Sequence, residues 1–145
     1  MSNKIVQPIP QGKYLPAIRH GDVVYTSGMT PRKEGKLMYS GEIKANEPIE
    51  TYKDPIQLAT LNALVAAQLC LEKGEKISQI FQLNIYLNAE KIFTSHAKIA
   101  DYASDLLIEI LGDNCIGSRT AIGVASLPSN APVEISLTAI IDNTE

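Results

Sequence analysis

Short apolar stretches, separated by turn residues, fill the first part of the chain. Pro and Gly recur between residues 8 and 55, and three strand candidates lie between these breaks: Tyr14–Arg19, Val23–Gly28 and Lys36–Glu42. Further along, three more segments alternate apolar and polar residues: Gln79–Leu87, Arg119–Leu127 and Val133–Ile141. The last two flank a Pro-rich turn at residues 128–132 and are typical of a hairpin. The pattern therefore predicts six strands.

Two segments instead repeat apolar residues at helical spacing. The first begins at Asp54-Pro55, an N-cap acid followed by a proline suited to the first helical position, and continues to Glu72. It carries a face of small residues: Ala59, Ala63, Ala66 and Cys70. A bulkier stripe lies beside that face: Leu58, Leu61, Val65 and Leu69. The second helix is predicted from near Phe93 to Leu111, ending at Gly112.

The order of these elements predicts an α+β fold. Both helices are expected on one face of a mostly antiparallel six-stranded sheet. In the sixth segment, Glu134, Ser136 and Thr138 alternate with apolar residues and should face away from the helices. In the fifth, we expect Ile122 and Val124 to point toward the helices. Small residues and one Arg would then occupy the helix-free face: Arg119, Ala121, Gly123 and Ala125. Such a face is typical of close approach by another backbone, so we predict that a second subunit covers it.

Composition limits the classes of function. The 145 residues fit a single domain spanning 1–145, and the 45% hydrophobic and 20% charged fractions are those of a folded globular protein. The net charge is −3, and the basic residues are scattered, which argues against a nucleic-acid partner. No apolar run approaches the roughly 20 residues of a membrane span, and no leader pattern opens the chain. A cytoplasmic location without a membrane partner is expected.

Few residues qualify for chemistry. Cys70, Cys115 and the two histidines show no metal-site spacing, so no metal is expected. Arg119 and Glu134 are each the lone charge of an otherwise uncharged strand, and the predicted hairpin places them on antiparallel neighbours. Such an Arg can bind a carboxylate, and such a Glu can orient a water molecule. A structural ion pair between the two is the simpler interpretation of the residue types alone.

For the other candidate residues, the residue type alone also allows two interpretations. Ser27 and Gly28 could contact an anionic ligand, or they could form an ordinary exit from a strand. Tyr14 could present its ring or hydroxyl to a ligand, or it could be half-buried. No glycine-rich nucleotide-binding motif and no serine-hydrolase motif is present.

Two blocks of the sequence resemble conserved blocks of a known protein family. Residues 21–31, GDVVYTSGMTP, resemble the N-terminal block of the RidA/YjgF family, also called endoribonuclease L-PSP. Residues 118–128, SRTAIGVASLP, continuing through APVEI at 131–135, resemble its C-terminal signature. The resemblance covers the chain from about Gly12 to Ile141. It implies a chorismate-mutase-like fold and a homotrimer with a central barrel and ligand clefts between subunits.

The resemblance also implies an activity without a cofactor. Active members hydrolyse reactive 2-imino acids to 2-oxo acids and ammonia. By analogy, Arg119 would bind the substrate carboxylate, and Glu134 would activate the attacking water. Tyr14 would close the cleft from a neighbouring subunit, and Ser27 and Gly28 would line it. Ala121 stands where the family has a characteristic Cys, so only its backbone could contribute.

Departures from the family pattern keep other functions open. Besides the Ala121 replacement, an Asn expected in the second helix has no counterpart around residues 99–101, which indicates a divergent branch. The leading hypothesis is an imine deaminase. The alternative is a non-catalytic binder of small carboxylates or of a partner. An endoribonuclease follows only from the older family label, and the acidic charge balance opposes it.

Overall fold

Five strands form one mixed sheet in the computed structural model, which describes residues 7–144. They are β1 (Ala17–His20), β2 (Val23–Thr26), β5 (Glu75–Asn88), β6 (Ile116–Val124) and β7 (Val133–Asn143). Their order is β1-β2-β7-β5-β6, and three of the four pairings are antiparallel. The prediction of a mostly antiparallel sheet is confirmed, whereas the count of six strands is wrong.

The third predicted strand, Lys36–Glu42, does not join this sheet. It is reduced to β4 (Lys36–Leu37), which pairs with β3 (Arg32–Lys33) in a separate two-stranded ribbon. The two residues between them, Glu34 and Gly35, both have positive φ angles of 53° and 79°. A two-residue hairpin loop needs this conformation to match the strand twist, so the chain turns back at once instead of extending.

The predicted hairpin of the last two strands is also wrong. β5 lies between β6 and β7, and β6 runs parallel to β5. Parallel neighbours need a crossover connection, which here contains the second helix. That crossover places β6 at the outer edge of the sheet. β7, the last strand in the chain, lies in the interior between β2 and β5.

The two helices form close to where they were predicted. α1 spans Lys53–Gln68, after a 3-10 turn at Ile49–Tyr52, so Asp54 lies in its first turn rather than at its N-cap. α2 spans His96–Leu111 and ends at Gly112, whose φ is 104°. The small face of α1 is buried at Ala59, Ala63 and Ala66, whereas in the bulkier stripe Leu61 is 40% exposed.

Both helices pack on the same face of the sheet and against each other. α1 contacts β2 and β7, and α2 contacts β5 and β6. The core between them contains fully buried side chains of the central strands, including Ile80, Leu83, Ile85, Leu87, Ile135 and Leu137. Each such side chain contributes about 1.5–3 kcal/mol relative to exposure, so this layer fixes the sheet register.

Within residues 7–144, no helix combines the length and apolar character needed to cross a membrane. The first six residues, on which the expected absence of a leader partly depends, lie outside the described range.

Candidate active site

Glu134 lies on the face of the sheet that carries no helix, beside Gly28. Its neighbours Val133 and Ile135 are fully buried in the core, so the Glu134 side chain points the other way. Two backbone hydrogen bonds between Met29 and Ile135, of 2.7 and 2.8 Å, hold the Gly28 loop against β7. A Cβ atom on Gly28 would lie 2.7 Å from the carboxyl carbon of Glu134. Only glycine leaves that space free.

Burial raises the pKa of the Glu134 carboxyl above its ordinary value. Desolvation disfavours the charged form, and no positive charge among residues 7–144 offsets it. A carboxyl group whose pKa is raised in this way exchanges protons more readily near neutral pH than an exposed carboxyl group. A carboxyl group with a raised pKa is chemically able to act as a general base.

Arg119 lies on the opposite face from Glu134. Its parallel partner on β5 is the buried Leu83, so the Arg119 side chain points toward the helices. There its guanidinium donates from Nη1 to Asp101 Oδ1 at 2.8 Å and to Ser104 Oγ at 3.0 Å. Nη2 donates to the carbonyl of Ala97 at 3.0 Å.

The faces predicted for this strand are therefore reversed. Arg119 and the half-buried Ala121 face the helices, whereas Ile122 is 45% exposed on the other side. The register with β5 decides this, because Leu83 and Ile85 pair with Arg119 and Ala121 and parallel partners share a face. β6 is an edge strand with apolar residues at both odd and even positions, so its own sequence does not indicate which face is buried.

A single chain does not bring Arg119 and Glu134 together. The strand β5 lies between their strands, pairing with Arg119 through Leu83 and with Glu134 through Tyr86. Their strands are two spacings apart, about 10 Å, and the three-residue offset from Leu83 to Tyr86 adds about 10 Å along the strands. The two Cα atoms are therefore about 14 Å apart, and the side chains project from opposite faces. The ion pair considered for them does not form, since Arg119 pairs with Asp101 instead.

Ser27 and Tyr14 belong to the segment that runs beside Gly28. The Ser27 hydroxyl donates to the carbonyl of Leu15 at 2.6 Å, and its backbone N–H donates to that of Pro16 at 2.9 Å. Tyr14 is 46% exposed, and its hydroxyl oxygen accepts the backbone N–H of Gln11 at 3.0 Å. Ser27 thus fixes the N-terminal segment, while the Tyr14 ring stays accessible.

Tyr14 and Gly28 also line a pocket of about 390 Å³. It lies between the N-terminal segment, the β3–β4 ribbon and α1, and its size is that of a small-molecule site. The wall from α1 is the bulkier stripe of Leu58, Leu61 and Val65. Ser27, Ala121, Arg119 and Glu134 do not line it.

One residue of this pocket escaped the sequence analysis. Asn62 donates from Nδ2 to the carbonyls of Thr30 and Arg32, at 3.1 and 2.8 Å, and so fixes the loop after β2 to α1. The available signal was an amide side chain beside the apolar Leu58, Leu61 and Val65 positions. Its role depends on a loop 30 residues away and could not be read locally.

Metal ligands are not grouped in the part of the chain that the structure describes. No cluster of three or more His, Cys, Asp or Glu side chains lies there within reach of one ion. Cys115 is 2% exposed, and burial raises the pKa of its thiol, which disfavours the reactive thiolate.

Comparison with known proteins gives a consistent family assignment. Residues 7–141 match the family model described as "YjgF/chorismate mutase-like, putative endoribonuclease". A protein of unknown function from Agrobacterium tumefaciens has a similar structure, with a TM-score of 0.80 and 29% identity over 94% of this chain and 86% of that chain. A "putative endoribonuclease" from Shewanella oneidensis has a TM-score of 0.77 and 32% identity, covering 93% and 89%.

One relative carries the name of an activity. The 2-iminobutanoate/2-iminopropanoate deaminase of Dermatophagoides farinae is 26% identical over 136 residues, which cover 93% of this chain and 91% of that protein.

Proposed function

This chain belongs to the YjgF/chorismate mutase-like family, and from that premise we propose that it hydrolyses 2-imino acids to 2-oxo acids and ammonia. The observation that carries the proposal is the half-buried Glu134, with its raised pKa and with Gly28 beside its carboxyl group. The deaminase from Dermatophagoides farinae supports the choice of reaction.

In the proposed reaction, Glu134 acts on water. A protonated imine is already electrophilic at carbon, so catalysis needs a positioned water and a base to accept its proton. Glu134 takes that proton as the water oxygen bonds to the imine carbon, giving a tetrahedral carbinolamine. Glu134 then returns the proton to the amino nitrogen, and the C–N bond breaks so that ammonia leaves. The hydroxyl becomes the 2-oxo group as its proton passes to Glu134, which releases it to solvent before the next turnover.

We assign the substrate carboxylate to Arg119 from a second copy of the chain. Arg119 on the edge strand β6 and Glu134 on β7 face opposite sides of one subunit, so one chain cannot supply both to one ligand. A ring of copies, in which the β6 edge of one subunit meets the β1–β2 side of the next, would unite them. A homotrimer with clefts between subunits is the assembly we propose.

The pocket beside Gly28 suits the hydrocarbon side chain of such a substrate. Most of its lining is apolar, and it shares Tyr14 and Gly28 with the proposed site. Tyr14 would then close the cleft over the ligand, and Ser27 would hold the segment that carries Tyr14. Ala121, next to the Arg119 strand position, would contribute backbone contacts only.

The decisive experiment follows the decay of 2-iminobutanoate generated in situ, with and without the protein. We expect acceleration at micromolar protein, loss of that acceleration in Glu134→Gln and Arg119→Ala, and full activity in the matched surface control Glu47→Gln. Absence of acceleration by the unaltered protein would overturn the proposal.

A non-catalytic carboxylate binder is the second candidate. The separation of Arg119 from Glu134 within one chain favours it, because binding at Arg119 needs no nearby base. Saturable binding of 2-oxobutanoate without imine hydrolysis would select this candidate. The endoribonuclease named in the family description is tested in parallel by cleavage of single-stranded RNA, which we expect to be absent at a net charge of −3.

A further inference from the structure

Arg119 is held by one side of α2. Its guanidinium has three acceptors there: the Ala97 carbonyl, the Asp101 carboxylate and the Ser104 hydroxyl. We call these three groups the guanidinium clamp. They span two turns of the helix, so the clamp fixes Arg119 relative to the whole first half of α2.

The clamp leaves part of the guanidinium available. Of its five N–H hydrogens, two on Nη1 and one on Nη2 have acceptors in the clamp, while Nε has none within residues 7–144. The Nε edge of an arginine is one of its two bidentate edges for a carboxylate. The Arg119 side chain also keeps 21% of its surface exposed, so a ligand can reach it.

This arrangement differs from an ordinary surface ion pair. Lys44 and Glu42 form such a pair, with one 3.2 Å contact and side chains that are 50% and 41% exposed. Arg119 makes three contacts to one element, and one acceptor, Ser104, is only 8% exposed. A single exposed pair leaves its long side chain free to change rotamer, whereas three acceptors on a helix select one orientation.

We propose that Asp101 and Ser104 are positioning residues, which orient Arg119 so that its Nε edge receives the carboxylate of the ligand. This inference rests on the proposed role of Arg119 in substrate binding. Asp101 orients the guanidinium mainly by accepting a hydrogen bond from Nη1, and its exposed negative charge contributes less to this orientation. Its loss therefore weakens ligand binding while the chemical step at Glu134 continues.

The test measures binding as well as turnover. The dissociation constant of 2-oxobutanoate, a non-reacting carboxylate, is measured by calorimetry, and KM and kcat are measured with 2-iminobutanoate. Asp101→Ala should weaken binding and raise KM about tenfold, as expected for one charge-assisted hydrogen bond, with kcat within about twofold. Asp101→Asn, which keeps an acceptor oxygen, should restore most of the affinity. Ser104→Ala should weaken binding in the same direction.

The matched control is Asp105→Asn. Asp105 is exposed on the same helix, four residues from Asp101, so it reports the effect of lost negative charge alone. Unchanged or tighter binding in Asp101→Ala would overturn the inference, as would a loss of affinity in Asp105→Asn equal to that in Asp101→Ala. Melting temperature and oligomeric state are measured for every variant, so that a folding defect is recognised, and Asp101→Asn serves if Asp101→Ala does not fold.

The two proposals fail in distinguishable ways. If the unaltered protein binds 2-oxobutanoate but hydrolyses no imine, and Asp101→Ala weakens that binding, the positioning role stands without the deaminase. If imine hydrolysis is present and Asp101→Ala matches the unaltered protein, the deaminase stands without the positioning role. If the unaltered protein neither binds nor hydrolyses, both are overturned.

Discussion

Gly28 occupies the position from which any side chain would collide with the carboxyl group of Glu134. A Cβ there would lie 2.7 Å from the Glu134 carboxyl carbon and 3.0 Å from its Cγ. The loop after β2 thus shapes the surroundings of the one half-buried carboxyl group on the helix-free face of β7. The function proposed for Glu134 therefore depends on the backbone at Gly28, and this dependence can be tested by adding one methyl group.

Gly28→Ala should reduce kcat/KM at least about tenfold with little change in melting temperature. The obstacle it meets is the flexible end of the Glu134 side chain, which can move aside at small cost to the fold but then no longer holds water correctly. Imine-decay kinetics and a thermal melt check this.

Gly117→Ala provides the contrast for that variant. Its Cβ would meet backbone oxygens of Ile80 and Phe81 at 2.7 and 2.9 Å, which cannot move aside without disturbing the β5–β6 pairing. We expect this variant to lower the melting temperature clearly. Full activity in Gly28→Ala would contradict the role given to Glu134.

Glu134→Gln should raise the melting temperature at pH 7, by on the order of 2 °C. Because burial raises the pKa of Glu134 in the folded state, the ionised carboxyl disfavours folding at neutral pH. The stability linked to this group is present at pH values below its unfolded pKa and is lost as pH rises through the folded pKa. The difference between the two proteins should therefore shrink toward acidic pH. Melts across pH 4–8 measure it, and a Glu134→Gln variant that is less stable at pH 7 would contradict the desolvation.

Mixing two inactive variants tests the composite site. If Arg119 of one copy serves Glu134 of the next, co-refolded equal amounts of Arg119→Ala and Glu134→Gln should recover about one quarter of the activity, since that fraction of interfaces in a closed ring has both residues intact. Each variant refolded alone should stay inactive. No recovery, in mixed assemblies verified by differential tags, would place both residues in the same chain's site.

Glu75→Gln should lower stability at neutral pH and lose this effect in strong acid. Arg19 donates to Glu75 from both terminal nitrogens, at 2.6 and 2.7 Å, and this holds the pKa of Glu75 at about 2. A depressed folded pKa contributes stability above the unfolded pKa, and that contribution is lost as pH falls through about 2. Melting curves of both proteins should converge between pH 4 and pH 2. A constant difference over that range would contradict the ion pair.

Leu61→Trp should fill the pocket beside Gly28 and change the choice of substrate. Leu61 lines the pocket and is 40% exposed, so the larger ring can be accommodated without disrupting the core. We expect kcat/KM to fall about tenfold for imino acids with long apolar side chains and to stay within about twofold for 2-iminopropanoate. An equal loss of kcat/KM for both kinds of substrate would contradict a role of the pocket in substrate recognition. Leu69→Trp, on the same stripe but outside the pocket, is the control.

The helices were predictable because their signals are local. Ala59, Ala63 and Ala66 repeat on one face of α1, and the burial of that face follows directly. The place of β6 was not predictable in this way. Its neighbour in the sheet is set by a crossover through α2, and no residue of β6 or β7 signals that β5 lies between them. The apparent hairpin followed from proximity in sequence alone.

The candidate site shows the same division. Gly28, Glu134 and Arg119 were identified from the sequence blocks, and Gly28 and Glu134 lie in contact. The partner of Arg119 could not be predicted, because Asp101 lies on another element and their contact depends on which face of β6 meets α2. Register between distant strands decided that face, and register is a property of the assembled sheet.

The interior position of β7 determines when the sheet can finish folding. Within the sheet, β7 is the strand that joins β1–β2 to β5–β6, and it is the last of the five to be synthesised. Until it inserts, a nascent chain carries two separate half-sheets with open edges. Folding must therefore be concluded after the final strand leaves the ribosome, and a chain interrupted before residue 133 would expose those edges to aggregation rather than retain a smaller native sheet.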